Sequence, residues 1–319
     1  MLLSVLRPPR LLVLPPILTN AAKCLEKLSG RHPFKRLEIE SANQKLKTKK
    51  DQMNSTILKG KHAVVFGAGG SIGSAVAKEF AAEGAEVFLS GRGKSSVEVV
   101  AKEIVAKGGR AHPAAIDSLD DAAVNQYVDG IVKQTGKIDI VLDAAGPLAK
   151  EYGNGKVAVD LPIDQFMVPF ETMVKSRFIT SRAVARHMVK QHSGVIIFVT
   201  GSPARPHVPG ATAIGAAFGA IENFTANLAF EVSPLGVRVV CIRTVANVDS
   251  RSIQDTTEFL AGQLNITKDQ AIAQVAQSNF LKVPATVQDT ANAAVLIASD
   301  RGRMLTGTVV NATAGAALD

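Results

Sequence analysis

Ala63-Val64-Val65-Phe66-Gly67-Ala68-Gly69-Gly70-Ser71-Ile72-Gly73 is an apolar run that stops at a cluster of glycines. A pattern of helical period (Ala75, Val76, Ala77, Phe80, Ala81) follows at once. The reading is strand, tight turn, helix. Glycine lets such a turn adopt backbone angles closed to other residues, and lets the main chain approach a ligand closely. The helix presents free N–H groups and the positive end of its dipole to the turn, which suits a pyrophosphate. Taken alone, Gly67-x-Gly69 is also compatible with a plain tight turn.

Further along, strands and helices alternate at the spacing of βα units. Val87-Phe88-Leu89 is a second strand, ending at Ser90-Gly91-Arg92-Gly93-Lys94, and Ser95 to Ala106 is helical. Arg110 to Ile116 is a third strand ending at Asp117, with a helix from Leu119 to Gln134. Ile138 to Leu142 is a fourth strand ending at Asp143-Ala144-Ala145-Gly146. A long helix is expected from about Asp164 to Gln191, a fifth strand over Val195–Thr200 and a second long helix over Ala211–Val232. A sixth strand (Val237–Ile242), a helical insertion (249–283) and a last strand (Thr308-Val309-Val310) complete the chain. The expected fold is α/β: one doubly wound parallel sheet of Rossmann type, a single domain over 60–319 with a C-terminal helical insertion.

The formal net charge of +8 belongs to the start of the chain. Residues 1–52 hold 11 Lys and Arg against 4 Asp and Glu, leaving 25 against 24 in the rest, so no nucleic-acid partner follows from the charge. No apolar run of about 18 residues occurs, and no membrane partner is expected. Cys24 and Cys241 show neither metal spacing nor a disulfide framework, which fits a reducing compartment. We therefore expect no metal and a cytoplasmic location. Residues 1–59 read as a leader, disordered or untranslated. Pro8-Pro9 and Pro15-Pro16 break any helix there, and no secretory cleavage site is apparent. An organelle-targeting reading rests on the absence of acids before Glu26. The favoured reading makes Met53 the initiator, since Lys50-Asp51-Gln52 can be encoded by a purine-rich, ribosome-binding-like stretch.

Several motifs in order across residues 60–319 resemble the short-chain dehydrogenase/reductase (SDR) family. Gly67, Gly69, Ser71, Ile72 and Gly73 are similar to its glycine motif, with Ser71 where a glycine is usual. Asp117 sits at an adenine-contacting position, and Asp143-Ala144-Ala145-Gly146 resembles Asn-Ala-Ala-Gly. Pro284, Asp289, Ala298-Ser299-Asp300 and Thr306-Gly307 resemble the closing pattern. The resemblance implies a nicotinamide dinucleotide held by these glycines, Asp117, Ala144, Ala145 and Gly146. An acid at the end of the second strand would bond the ribose 2′-hydroxyl, whereas a basic residue accommodates a 2′-phosphate. Gly91 takes the acid position and Arg92 follows, so the expected cofactor is NADP(H).

In the family, a Tyr activated by a Lys four residues later supplies the proton, with a Ser and an Asn assisting. Here Ile214-Gly215-Ala216-Ala217-Phe218-Gly219-Ala220-Ile221-Glu222 is similar to the segment carrying that pair, and Ile214 and Phe218 hold the Tyr and Lys positions. Met173 falls at the Asn position, the Ser position falls on Gly201 or Ser202, and Thr244-Val245 replaces a usual Pro-Gly. Ser202 is the candidate catalytic residue; its structural alternative is to satisfy a turn. His207 reads as a loop residue, Lys175 and Arg243 as solvated or phosphate-facing, and Tyr152 as a loop tyrosine able to reach the pocket. Three functions follow. One is an NADP(H)-dependent oxidoreductase acting on a carbonyl or an activated C=C bond with a displaced proton donor. Another is a catalytically silent NADP(H)-binding sensor or oligomer partner, and the third an ordinary ketoreductase that tolerates the loss. Partners are a small-molecule substrate and further copies of the chain, since the two long helices pair in the family as homodimers or homotetramers.

Overall fold

Burial alternates along the strands, and the alternation divides the core between two faces. A computed structural model describes residues 56–206 and 208–319. Ala63, Val65, Val87, Leu89, Leu142 and Ile197 face one way and pack on three helices: α1 (Ser71–Ala82), α2 (Lys94–Ala106) and α9 (Val287–Ala298). Val64, Phe66, Phe88, Val141, Ile196 and Phe198 face the other and pack on α3 (Asp121–Thr135), α5 (Lys175–Gln191) and α6 (Thr212–Val232). Each of these side chains is fully or almost fully buried, worth about 1.5–3 kcal/mol for the larger ones.

The strands are β1 (His62–Phe66), β2 (Glu86–Gly91), β3 (Arg110–Ala115), β4 (Ile140–Asp143), β5 (Gly194–Gly201), β6 (Val237–Thr244) and β7 (Thr308–Ala312). They form one sheet in the order β3-β2-β1-β4-β5-β6-β7, parallel throughout. The order reverses between β1 and β4, and in such sheets ligands bind beyond the carboxyl ends of the strands at that reversal. The edges are β3, which carries Pro113 opposite Leu89, and β7. The doubly wound fold is as the sequence predicts.

Three details differ from the sequence reading. The helix expected over 164–191 is divided into α4 (Ile163–Pro169), a π turn (Phe170–Val174) and α5. Pro169 lacks an N–H and crowds the carbonyl four residues back, so the ladder changes register there. The insertion is two helices, α7 (Arg251–Leu264) and α8 (Lys268–Gln277). Asn265, at φ 50°, ends the first, and a Thr267–Gln270 capping box starts the second. At the other end, Leu58 is fully buried, and Ile57 and Leu58 donate to Glu83, so residues 57–58 join the body rather than the leader. Met53 and the leader before Thr56 lie outside the described residues. Among the described residues no helix is long and apolar enough to cross a membrane.

Candidate functional site

The turn after β1 runs beneath the main chain that leaves β4. Gly67 has φ +74°, and a Cβ there would come within 2.6 Å of the Ala145 nitrogen. A larger residue would be strained in its backbone and would collide with Ala144 and Ala145. A Cβ on Gly73 would meet the Gly67 carbonyl, so α1 starts directly against the turn. These close approaches leave a cleft of about 220 Å³ lined by Gly67, Gly69, Gly91, Arg92, Ser96, Ile116, Ser118, Ala144, Ala145 and Gly146. Most of the expected cofactor residues are thus brought together at the reversal. Arg92 is exposed on its wall.

Other expected residues stand elsewhere. Asp117 is exposed beside the cleft, between the lining residues Ile116 and Ser118, and its carboxylate accepts from Leu119 N at 3.0 Å. Ser71 opens α1 but turns its hydroxyl toward the insertion, where it accepts from Arg251 N at 3.1 Å. Ile72 packs at the margin of the core that lies on the α1 face.

Ile214 and Phe218 lie one turn apart on α6. Ile214 is buried, and the Phe218 ring lies against the Cα of Gly201, where a Cβ would come within 2.8 Å of it. Ser202 is the first residue of a short 3-10 turn after β5 and is half-buried. Its carbonyl accepts from Arg205 N at 3.0 Å. Met173 is buried in the π turn and packs against Gly146. Tyr152 is buried in a 3-10 turn rather than standing free in a loop, and burial pushes its pKa up to about 12. Tyr127 is pushed up further, also by burial. Neither tyrosine is tuned toward the acid–base range near neutrality. His207 lies outside the described residues, and Lys175 is exposed.

The expectation for Arg243 is corrected. It is fully buried, and it donates from Nε and Nη2 to the two Glu222 oxygens, each at 2.8 Å. Nη1 donates to Asp319, while Thr200 Oγ1 donates to Glu222 at 3.2 Å. Its hydrogen bonds to Glu222 are the main cause of the raised Arg243 pKa. This guanidinium is committed to the protein and faces no phosphate.

Sequence reasoning also passed over Arg177. Its side chain is buried on α5, with Nη1 donating to the Ala145 carbonyl and Nη2 to the Asp143 carbonyl at 3.3 Å. The signal was available: an Asp where Asn is usual adds a charge, and an Arg interrupts the apolar stripe of the following helix.

Residues 61–259 match the family described as short chain dehydrogenase. The chain is 28% identical over 258 residues to a 7alpha-hydroxysteroid dehydrogenase of Escherichia coli K12, covering 81% of this chain and 94% of that one. A gluconate 5-dehydrogenase of Gluconobacter oxydans is 30% identical over 187 residues, 57% of this chain and 69% of that one. The structure of a 7α-hydroxysteroid dehydrogenase complexed with NADH and 7-oxo glycochenodeoxycholic acid superposes with a TM-score of 0.72 at 27% identity, covering 83% of this chain and 97% of that one. NAD+-bound xylitol dehydrogenase gives 0.72 at 25%, covering 80% and 98%. Since the family match takes in six of the seven strands and both walls of the cleft, the chain belongs to the short-chain dehydrogenase family.

Proposed function

We propose that the protein is an NADP(H)-dependent oxidoreductase of SDR type, acting on a carbonyl or an activated C=C bond with a proton donor other than the Tyr–Lys pair. The carrying observation is the cleft at the strand reversal, with Arg92 on its wall. The glycine positions fit a dinucleotide, because a Cβ at Gly67 or Gly69 would close the space that main chain and Ser96 leave open. In this reading Gly67, Gly69, Ala144, Ala145 and Gly146 hold the nucleotide by close main-chain approach. The start of α1, with Ser71, Ile72 and Gly73, faces its pyrophosphate, Asp117 and its neighbours flank the adenine, and Arg92 meets the 2′-phosphate. The cofactor, when bound, supplies the hydride. Ser202 orients the substrate, while Ile214 and Phe218, at the usual Tyr and Lys positions, form a dry wall that neither donates nor tunes a proton. The two cysteines, without disulfide spacing, support a cytoplasmic setting.

The test is titration of the protein with NADPH and NADH, followed by NADPH oxidation against panels of ketones and enones. Tighter binding of NADPH and turnover of at least one panel member are expected. Equal or absent binding refutes the cofactor assignment. Tight binding without turnover on any member points instead to a silent NADP(H)-binding protein.

A further inference from the structure

The main chain that leaves β4 lines the cleft, and what holds it there is unusual in being charged and dry. Arg177 and Asp143 are both essentially inaccessible to solvent. Two guanidinium nitrogens of Arg177 donate to carbonyls of this segment, Nη1 to Ala145 and Nη2 to Asp143. Nη1 also lies 3.2 Å from Ser176 Oγ and 3.7 Å from the Asp143 carboxylate. That carboxylate accepts from Ala145 N at 2.9 Å and from Thr180 Oγ1 at 2.8 Å. Arg177 therefore holds both ends of the Asp143–Ala145 segment, the Asp143 carboxylate holds the Ala145 end as well, and the two charges face each other. Burial alone would drive the guanidinium toward its neutral form, and Asp143 opposes that drive.

A buried ion pair is a weak source of stability, since desolvation offsets most of the attraction, and its best-attested use is to fix geometry. Ala144, Ala145 and Gly146 are lining residues of the cleft, and Gly67 faces the Ala144–Ala145 peptide at contact distance. A small shift of this segment closes or opens the space for a ligand.

We propose that Arg177, locked to Asp143, is a positioning residue for the dinucleotide. It sets the height of Ala144-Ala145-Gly146 above the glycine turn, and so the fit of the cofactor, without touching it. The proposal rests on the cleft being the dinucleotide site.

The experiment separates positioning from bulk stability. Asp143→Asn and Arg177→Met each leave one buried charge unpaired and should lower the melting temperature strongly. The double variant removes both charges and should recover most of the parental melting temperature. Its two carbonyls still lack their donors, so its Kd for NADPH should rise tenfold or more. Arg177→Lys keeps the charge but reaches the two carbonyls with one nitrogen, and should show the same weakened binding. It carries the test should the double variant not fold. Parental Kd values in a folded double variant or in Arg177→Lys would overturn the proposal and leave the cofactor reading intact. A parent that binds neither NADPH nor NADH would overturn both.

Discussion

Arg92 and Phe218 carry the two readings that matter most, and each can be tested alone. Arg92 has no hydrogen bond or ion pair among the described residues and stands exposed on the cleft wall. Arg92→Ala should weaken NADPH by about 1.5–3 kcal/mol, the value of a charge-assisted contact, and leave NADH unchanged. Calorimetric titration with both nucleotides checks this, and equal losses would remove the phosphate contact. In the proposed reading Phe218 stands at the usual Lys position. Its ring lies where a Cβ at 201 would come within 2.8 Å, so a serine at Gly201 requires the Phe218 ring to move. Ile214→Tyr with Phe218→Lys should install a proton donor and its activating cation together. General acid–base catalysis of this kind is worth about 10²–10⁴-fold, read as the rate of NADPH oxidation with a ketone. Neither single change should suffice, because an unaided Tyr keeps its high pKa and a Lys without Tyr has no proton to tune. The double replacement also frees the space beside Gly201, so Gly201→Ser should be tolerated there and be destabilising in the parent.

At the scale of elements, the insertion and the glycine turn are joined by the hydrogen bond from Arg251 N to Ser71 Oγ. Its neighbouring residues are tied down as well, Val248 N to Ala285 O and Val287 N to Asp249. Ser71→Gly, which restores the commoner residue of the motif, should loosen the first turn of α7 without unfolding α1. Hydrogen exchange should then quicken over 251–264 and stay unchanged over 71–82. Most of the fold was legible in the sequence, because buried parallel strands are short apolar runs closed by turn residues. The register change at 170–174 was not, since Pro169 marks a break without saying whether the helix stops or slips. The cleft was legible through its glycines, whose spacing reports a backbone requirement directly. Arg243 and Arg177 were misread or missed for a common reason. A charged residue has a low prior for burial, and only the three-dimensional arrangement supplies the partners, Glu222 and Asp143, that make burial tolerable.

For the whole molecule, assembly and pH response follow from what lies outside and inside the core. Phe178 on α5 and Phe230 on α6 are exposed, Phe230 at 86%. The sequence reading of a dimer or tetramer built on these helices predicts a mass above that of the monomer in sedimentation at micromolar concentration, and Phe230→Asp should lower it. Stability should fall in alkali. Burial raises the Cys241 thiol to about 12 and Tyr152 to about 12, while unfolded Cys and Tyr titrate near about 8.5 and 10. Between those limits the unfolded chain has released protons that the folded chain keeps, so unfolding becomes more favourable as pH rises. Melting temperatures should decline from about pH 9, and Cys241→Ala should move the onset toward about pH 10, where the tyrosines begin. The two margins of the sheet are unequal in a further respect. Pro113 on β3 has no N–H to offer, whereas the β7 segment Thr308-Val309-Val310-Asn311-Ala312 contains no proline. A strand from another molecule would find an interrupted template along one margin and a complete one along the other. Runaway edge-to-edge stacking needs both margins, so a single proline at one end of the sheet limits strand addition to one step.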